Sequence, residues 1–250
     1  METYFNIRYE FDKSQVHTQI ATRLPQTGSD YICVADGVIL DNVNKDDEYK
    51  KVVNGSLFSV CDSSYVPLYL KWIYGIHREQ YCGSQIFQDI VSQRKYRMIF
   101  MGTSNEILQA LKENLKAFNP DVESMKFIEL PFRKVNEFDY PAIAKMIEED
   151  GADIIWVALG APKQEYFMAN LKPYLSHGIM IAVGAAFKFF SGVDTKRAPA
   201  WMVKHHLEFV HRIMTEPKKQ FKRCFGIIKS LPIVLFQESK RKSKMQLEPK

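Results

Sequence analysis

The sequence of 250 residues lacks several features that would assign it to a special class of protein. It contains no apolar run of roughly 18 residues or more, so we expect no transmembrane helix. Its first residues carry neither a basic nor an apolar stretch, which argues against a secretory signal. The four cysteines lie far apart, which disfavours a disulfide framework or a zinc site. They are expected to be reduced, buried thiols of a cytoplasmic protein: Cys33, Cys61, Cys82 and Cys224.

Acidic residues are scarce at the carboxyl-terminal end. From Lys218 onward ten lysines and arginines stand against only Glu238 and Glu248, although the net charge of the whole chain is +5. Such asymmetry predicts a polyanionic partner, either a membrane surface or nucleic acid. A nucleic-acid binder is the weaker interpretation, because no matching basic face interleaved with aromatic residues and no nucleic-acid motif are present.

The sequence does contain a regular alternation of β-type apolar runs and helical apolar spacing. The first segment, 4–24, is mixed and is expected to pair at a sheet edge, and Asp36-Gly37 is expected to form a turn. We predict strands over 31–35, 56–61, 96–101, 126–130, 154–159 and 179–183. We predict helices over 46–53, 66–74, 83–92, 106–118, 140–149 and 164–175.

This alternation predicts an α/β fold with a doubly wound, mostly parallel, Rossmann-like sheet. The remainder, from about Pro199, is helical and basic in character and has no strand pattern. We therefore expect an α/β domain over 1–195 and a basic helical appendage over 196–250.

Turns of small residues follow several of the predicted strands. One begins at Gly160 and includes Lys163 and Gln164; another begins at Gly184 and leads to Lys188. In an open parallel sheet, ligands bind at the carboxyl ends of the strands, and glycines let the backbone approach a phosphate. These turns predict a site for a phosphate-bearing or nucleotide-bearing small molecule, to which we also assign the turn at Gly102 and Thr103.

The same region carries a family resemblance. Its parts are Leu-Gly-Ala-Pro-Lys-Gln-Glu at 159–165, the turn at 184–187, Arg-Ala-Pro-x-Trp at 197–201, Leu-Glu-Phe at 207–209, Arg212 and Glu-Pro at 216–217. In this order and spacing they resemble the WecG/TagA/CpsF glycosyltransferases, densely over 154–223 and more weakly over 34–115. The resemblance implies transfer of a sugar from a UDP-sugar to a polyprenyl-diphosphate-linked acceptor at the bacterial inner membrane surface.

Asp62 follows a predicted buried strand, so its carboxylate is expected at the rim of the sheet. The resemblance implies that Asp62 is the catalytic base, although Ser63 replaces the glycine of the family's loop. The alternative is that Asp62 caps the helix predicted to start at Val66. The residues alone leave both roles open.

The resemblance also implies that Lys163 and Gln164 bind the diphosphate end of the donor. Several other positions depart from the family pattern. Lys188 stands where the family has Asp, Asp36 where it has Asn, and Gln85, after Ser84, where it has Asp. These departures indicate either a shifted preference for sugar or acceptor, or a weakened enzyme.

Basic residues of the appendage are expected to surround the acceptor diphosphate: Arg197, Arg212, Lys219, Lys222 and Arg223. The apolar segment 225–236 between basic runs is typical of an interfacial helix on an anionic membrane surface. The alternative is a helix packed on the core, followed by a disordered tail beyond Glu238.

The sequence therefore predicts an inverting transferase that uses a UDP-sugar, with N-acetylhexosamine the expected sugar type, and an undecaprenyl-diphosphate-linked acceptor. We expect no metal and no cofactor, and a cytoplasmic protein peripheral at the inner face of the membrane. The alternative is a nucleotide-binding or membrane-scaffold protein with weakened catalysis. The identity of the sugar, the acceptor, the linkage and the oligomeric state stay open.

Overall fold

The computed structural model describes residues 1–193 and 217–247, with side chains over 225–244 in the second range. In these residues eight strands form one sheet in the order β1-β2-β4-β3-β8-β7-β5-β6. The first strand pairs antiparallel with the second, and all other pairs are parallel. The strands are β1 Glu2–Tyr4, β2 Ile7–Glu10, β3 Asp30–Ala35, β4 Phe58–Cys61, β5 Met98–Gly102, β6 Lys126–Ile128, β7 Ile154–Ala158 and β8 Ile179–Ala182.

Helices connect these strands and cover both faces of the sheet, which confirms the predicted doubly wound α/β class. The α-helices of the described residues are α1 Lys13–Arg23, α2 Gly37–Val43, α3 Asp47–Asn54, α4 Val66–Tyr74, α5 Gly83–Ser92, α6 Asn105–Leu115, α7 Tyr140–Asp150, α8 Lys163–Leu171, α9 Ala186–Ser191 and α10 Pro217–Leu247. Short 3-10 turns occupy Pro120–Ser124, Val135–Glu137 and Lys172–Tyr174.

The core lies in two layers, one on each face of the sheet. Strand β7 shows the division, because all five of its residues are buried. Ile155 and Val157 belong to one layer, and Trp156 belongs to the other. A strand buried on both faces reads as a continuous apolar run, which is why these strands could be predicted from the sequence.

Two local predictions are corrected by the structure, at Asp36-Gly37 and at the end of the helix predicted over 164–175. Asp36-Gly37 does not form a turn but opens α2, because Asp36 Oδ1 accepts hydrogen bonds from the backbone N–H groups of Val38 and Ile39. The first segment pairs at a sheet edge as predicted, through β1 and β2, and it also contains α1. The helix predicted over 164–175 ends at Leu171, since Pro173 has no N–H to continue it.

The long helix α10 packs against the α/β unit, on α2 and α4. The buried carboxylate of Glu238 accepts from the backbone N–H of Phe5 at 3.0 Å and from the Tyr74 hydroxyl at 2.7 Å. Ser230 Oγ donates to the Asp41 carboxylate, and Lys242 Nζ donates to the Ile73 carbonyl at 2.6 Å. This part of α10 is therefore docked by specific polar contacts on one of its faces.

Candidate functional site

The strand order brings the predicted site residues to one edge of the sheet. The strands β4, β3, β8, β7 and β5 are consecutive neighbours and all parallel, so their carboxyl ends meet there. The residues at or just after these ends are, in the same order, Asp62, Asp36, Gly184, Gly160 and the pair Gly102-Thr103. This edge is where ligands of doubly wound sheets bind.

Hydrogen bonds hold both the backbone and the side chain of Asp62. Its backbone N–H donates to the carbonyl of Ala35 at 3.0 Å, and its own carbonyl accepts from Gln80 Nε2 at 2.6 Å. Its side-chain Oδ1 accepts from the backbone N–H of Gly83, the first residue of α5, at 2.7 Å. The alternative that Asp62 caps α4 is wrong, because the N-cap of α4 is Tyr65, which makes no side-chain cap bond.

Gly83 lies at the closest approach of three elements. A Cβ atom built there would be 3.2 Å from Val34 Cγ1, 3.7 Å from the Val183 carbonyl and 3.8 Å from Asp62 Oδ1. The Asp62 carboxylate, the start of α5 and the residue before the Gly184 turn therefore meet at one point. Ser84, the next residue, is half-buried with its Oγ 3.3 Å from Cys82 Sγ.

Asp36 caps α2 with its carboxylate, as described above. Its neighbour Gly37 contacts α10, because a Cβ there would lie 3.1 Å from Ile227 Cδ1. A side chain at position 37 would press on the docked appendage. The end of β3 thus links the candidate site to α10.

A buried series of side-chain hydrogen bonds supports the turn after β7. Gln164 Oε1 accepts from the backbone N–H of Gly160 at 3.1 Å, and Gln164 Nε2 donates to Glu165 Oε1 at 2.9 Å. Tyr49 on α3 donates its hydroxyl to Glu165 Oε2 at 3.0 Å. Gln164 is 4% exposed and Glu165 is 0% exposed. Burial raises the pKa of Glu165 to about 7.

Sequence reasoning did not single out Glu165. It stands in the motif at 159–165, but a glutamate in the first turn of a helix is already explained by the helix dipole. Its burial and its bond to Tyr49 join positions 116 residues apart, so no local pattern could reveal them.

The two lysines expected near the donor have different surroundings. Lys163 Nζ lies 5.1 Å from the ring centre of Phe132 and 5.2 Å from that of Phe138, in the range of cation–π contacts. Burial against these rings lowers the pKa of Lys163. Lys188 is half-buried on α9.

The turn after β5 has a strained backbone. A Cβ on Gly102 would lie 2.5 Å from the Ala158 carbonyl, so only glycine fits between the ends of β5 and β7. Thr103 follows with a φ of 54°, a left-handed conformation that is uncommon for a side chain branched at Cβ. The strain lies beside the Gly160 turn, since Gly102 pairs with Ala158.

Some of the predicted site residues lie outside the part of the chain that the structure describes. Arg197 and Arg212 lie outside them, as do the side chains of Lys219, Lys222 and Arg223. Among the described histidines, cysteines and acidic residues, no group of three or more is arranged to hold a metal ion. Within residues 1–193 and 217–247, no helix is long and apolar enough to cross a membrane.

Comparison with known proteins agrees with this architecture. Residues 4–244 match the model of the glycosyl transferase WecG/TagA/CpsF family. The chain is 25% identical to an N-acetylglucosaminyldiphosphoundecaprenol N-acetyl-beta-D-mannosaminyltransferase of Bacillus subtilis (strain 168), covering 97% of this chain and 94% of that protein. Proteins of the same name from Bacillus spizizenii and Staphylococcus aureus (strain NCTC 8325 / PS 47) are 26% and 22% identical. These matches cover 87% and 88% of this chain, and 83% and 84% of the relatives.

The family match spans nearly the whole chain, including α10 as well as the sheet. The turns at 160–164 and 184–187 lie within the matched residues, and the structure brings them to one edge of the sheet. The chain therefore belongs to the WecG/TagA/CpsF family and is a glycosyltransferase.

Proposed function

We propose that this protein transfers an N-acetylhexosamine from a UDP-sugar to a sugar linked to polyprenyl diphosphate, with inversion and without a metal. The observation that carries the proposal is the meeting of the Asp62 carboxylate, the start of α5 and the residue before the Gly184 turn. A carboxylate base close to a turn that can bind a diphosphate is well placed to take the proton of an acceptor hydroxyl as it attacks the donor sugar. The relatives' names specify an N-acetylglucosaminyldiphosphoundecaprenol acceptor and an N-acetyl-beta-D-mannosaminyl group as the sugar transferred, which supports the same substrate classes.

In this reaction the acceptor hydroxyl oxygen attacks the anomeric carbon of the donor sugar. The bond between that carbon and the diphosphate oxygen breaks, and UDP leaves with the electron pair. Asp62 takes the proton of the acceptor hydroxyl, a role that contributes about 10²–10⁴ in rate. One displacement inverts the anomeric centre.

The donor diphosphate is assigned to the turns at Gly160 and Gly184. Both glycines have positive φ, 76° and 47°, and each turn leads into a helix. Backbone N–H groups at such turns and the positive end of α8 favour a diphosphate. Lys163, the first residue of α8, supplies a cation beside it.

The lipid acceptor implies a membrane surface, and we assign it to an outer face shared by α10 and α4. Successive residues of a helix are 100° apart. The residues of α10 that contact the α/β unit therefore lie on one side of the helix, and a second set of residues points away from that unit. That set combines exposed apolar groups with lysines, and α4 adds two apolar residues beside it. We call this the apolar face; its residues are Leu68, Trp72, Phe225, Ile228, Lys229, Ile233, Phe236 and Lys240.

The apolar face has the composition of an interfacial helix. Trp72 is 75% exposed and Phe236 is 61% exposed. They line a shallow groove of about 550 Å³ between the two helices, and Lys240 Nζ lies 4.6 Å from the Phe236 ring centre. Aromatic groups anchor at the boundary between headgroups and acyl chains, and each lysine near an anionic surface contributes about 1 kcal/mol. We therefore propose peripheral attachment at the inner face of the membrane.

The test is turnover of UDP-N-acetylhexosamines with a short-chain polyprenyl-diphosphate sugar, after a thermal-shift screen of UDP-sugars. A ligand that binds only the native state raises its melting temperature. Product with an inverted anomeric centre, formed equally in the presence of a chelator, supports the proposal. A UDP-sugar that binds without any turnover favours the weakened-enzyme alternative. Absence of binding by every UDP-sugar overturns the donor assignment.

A further inference from the structure

The chain of hydrogen bonds from Tyr49 to Gly160 fixes the orientation of one amide. Gln164 Nε2 donates to a carboxylate oxygen, while Gln164 Oε1 accepts from a backbone N–H. Reversing this amide would place two acceptors against each other and two donors against each other. The Glu165 carboxylate therefore selects which end of Gln164 points to Gly160.

The same amide also lies against the second turn. A Cβ built on Gly184 would be 3.7 Å from Gln164 Oε1. Gln164 thus bonds to the turn that follows β7 and lies beside the turn that follows β8. Because Gln164 is almost fully buried, packing holds it in this position.

The Glu165 carboxyl is not neutralised by a described cation. The groups that face it are neutral or acidic: the hydroxyls of Tyr49 and Tyr31, the Gln164 amide, the Cys33 thiol and Asp36. Burying a carboxylate without a cation costs stability, and an apolar residue would avoid that cost. The arrangement is unfavourable for folding alone, and buried ionisable groups of this kind cluster at functional sites.

We propose that Glu165 and Tyr49 are positioning residues for the donor diphosphate, acting through Gln164 on the turns at Gly160 and Gly184. This inference rests on the proposed function, which assigns the donor to those turns. Neither residue touches the donor in this scheme. Tyr49 holds the carboxylate, the carboxylate holds the amide, and the amide holds the two turns at the spacing that the diphosphate requires.

The test compares two buried tyrosines. Tyr49→Phe removes the hydroxyl that holds Glu165, and Tyr31→Phe is the matched control. Tyr31 on β3 donates its buried hydroxyl to the Val52 carbonyl of α3, so both variants lose one hydrogen bond at the same helix. The readouts are the UDP dissociation constant by calorimetry from pH 6 to 9, the melting temperature, and the separate values of KM and kcat.

We expect Tyr49→Phe to weaken UDP binding about tenfold and to raise the donor KM more than it lowers kcat. Tyr31→Phe should lose similar thermal stability while keeping UDP affinity within about twofold of the wild type. Glu165→Gln, a second variant, keeps a hydrogen-bonding amide at the same place. The UDP affinity of the wild type should rise as pH increases through about 7, because the ionised carboxylate orients Gln164. Glu165→Gln should bind UDP within a few-fold of the wild type and lose this rise.

The outcomes separate the two proposals. If the wild-type protein does not bind UDP, the donor assignment fails and the positioning role fails with it. If the wild type binds UDP but a folded Tyr49→Phe binds it equally well at every pH, the positioning role alone is wrong. Should Tyr49→Phe not fold, a wild-type pH profile in Glu165→Gln overturns the inference by itself.

Discussion

Asp62 Oδ1 accepts a hydrogen bond at 2.7 Å from the backbone N–H of Gly83. This bond joins the carboxyl end of β4 to the first residue of α5, across 21 positions of the chain. It sets the direction of the carboxylate, since one oxygen is held by the helix terminus. Residue 83 also has little room for a side chain, because a Cβ there would lie only 3.2 Å from Val34 Cγ1.

The first prediction concerns Asp62 as the base. Asp62→Asn can still accept the Gly83 N–H through its amide oxygen, so the fold should persist, but its basicity is lost. We expect turnover to fall about 10²–10⁴-fold with UDP affinity nearly unchanged, measured by product formation and calorimetry. Turnover within a few-fold of the wild type would show that Asp62 only anchors α5.

The second prediction tests the turn after β7. Lys163→Ala removes a cation close to the assigned diphosphate, and Gln164→Ala removes the amide between the two turns. Each change should weaken UDP binding by roughly 1–3 kcal/mol, the range for a lost charged hydrogen bond or an unsatisfied buried group. Lys145→Ala, an exposed lysine on α7, is the control. Unchanged UDP affinity in both folded variants would remove the donor from this turn.

The third prediction concerns the apolar face. Burying an aromatic side chain contributes about 2 kcal/mol, so Trp72→Ala combined with Phe236→Ala should greatly reduce co-flotation with anionic liposomes. Tyr174→Ala is the control, because Tyr174 is 52% exposed but precedes β8, at the opposite edge of the sheet. Raising the salt concentration should weaken the remaining attachment through the lysines. Equal flotation of the double variant and the wild type would exclude this face.

The fourth prediction is a pH dependence of stability. The pKa of Glu165 is about 7 in the folded protein, against an ordinary value of 4.5. Between these values the native state holds a proton that the unfolded state has released, so the free energy of unfolding falls as pH rises. The contribution is on the order of 3 kcal/mol over this window. Denaturant titrations from pH 4 to 8 should show the decline, and Glu165→Gln should reduce it.

A matched variant isolates this effect. Glu149 is exposed at the end of α7. Glu149→Gln therefore removes one carboxylate without affecting the buried hydrogen bonds of Tyr49, Glu165 and Gln164. Its stability profile should follow that of the wild type. If Glu165→Gln also follows the wild-type profile, then another group is responsible for the pH dependence.

Much of the sheet and its helices could be predicted because the information is local. The bounds of α4 and α5 match the predicted ranges 66–74 and 83–92, and the predicted strands overlap β3 to β8. Fully buried parallel strands form continuous apolar runs, and helices repeat apolar residues every three to four positions. The small-residue turns at Gly160 and Gly184 were visible for the same reason, so the donor edge could be proposed from the sequence.

The partners of the polar groups were decided only by the tertiary structure. Asp62 was predicted either as a base or as a cap of α4, yet its carboxylate bonds to Gly83 of α5. Glu165 has the appearance of an ordinary first-turn glutamate until α3 brings Tyr49 to it. The apolar and basic composition of α10 was evident, but packing on α2 and α4 selects which side of the helix stays exposed. Hydrogen bonds and packing across the chain depend on distances between elements, whereas the sequence by itself determines the pattern within each element.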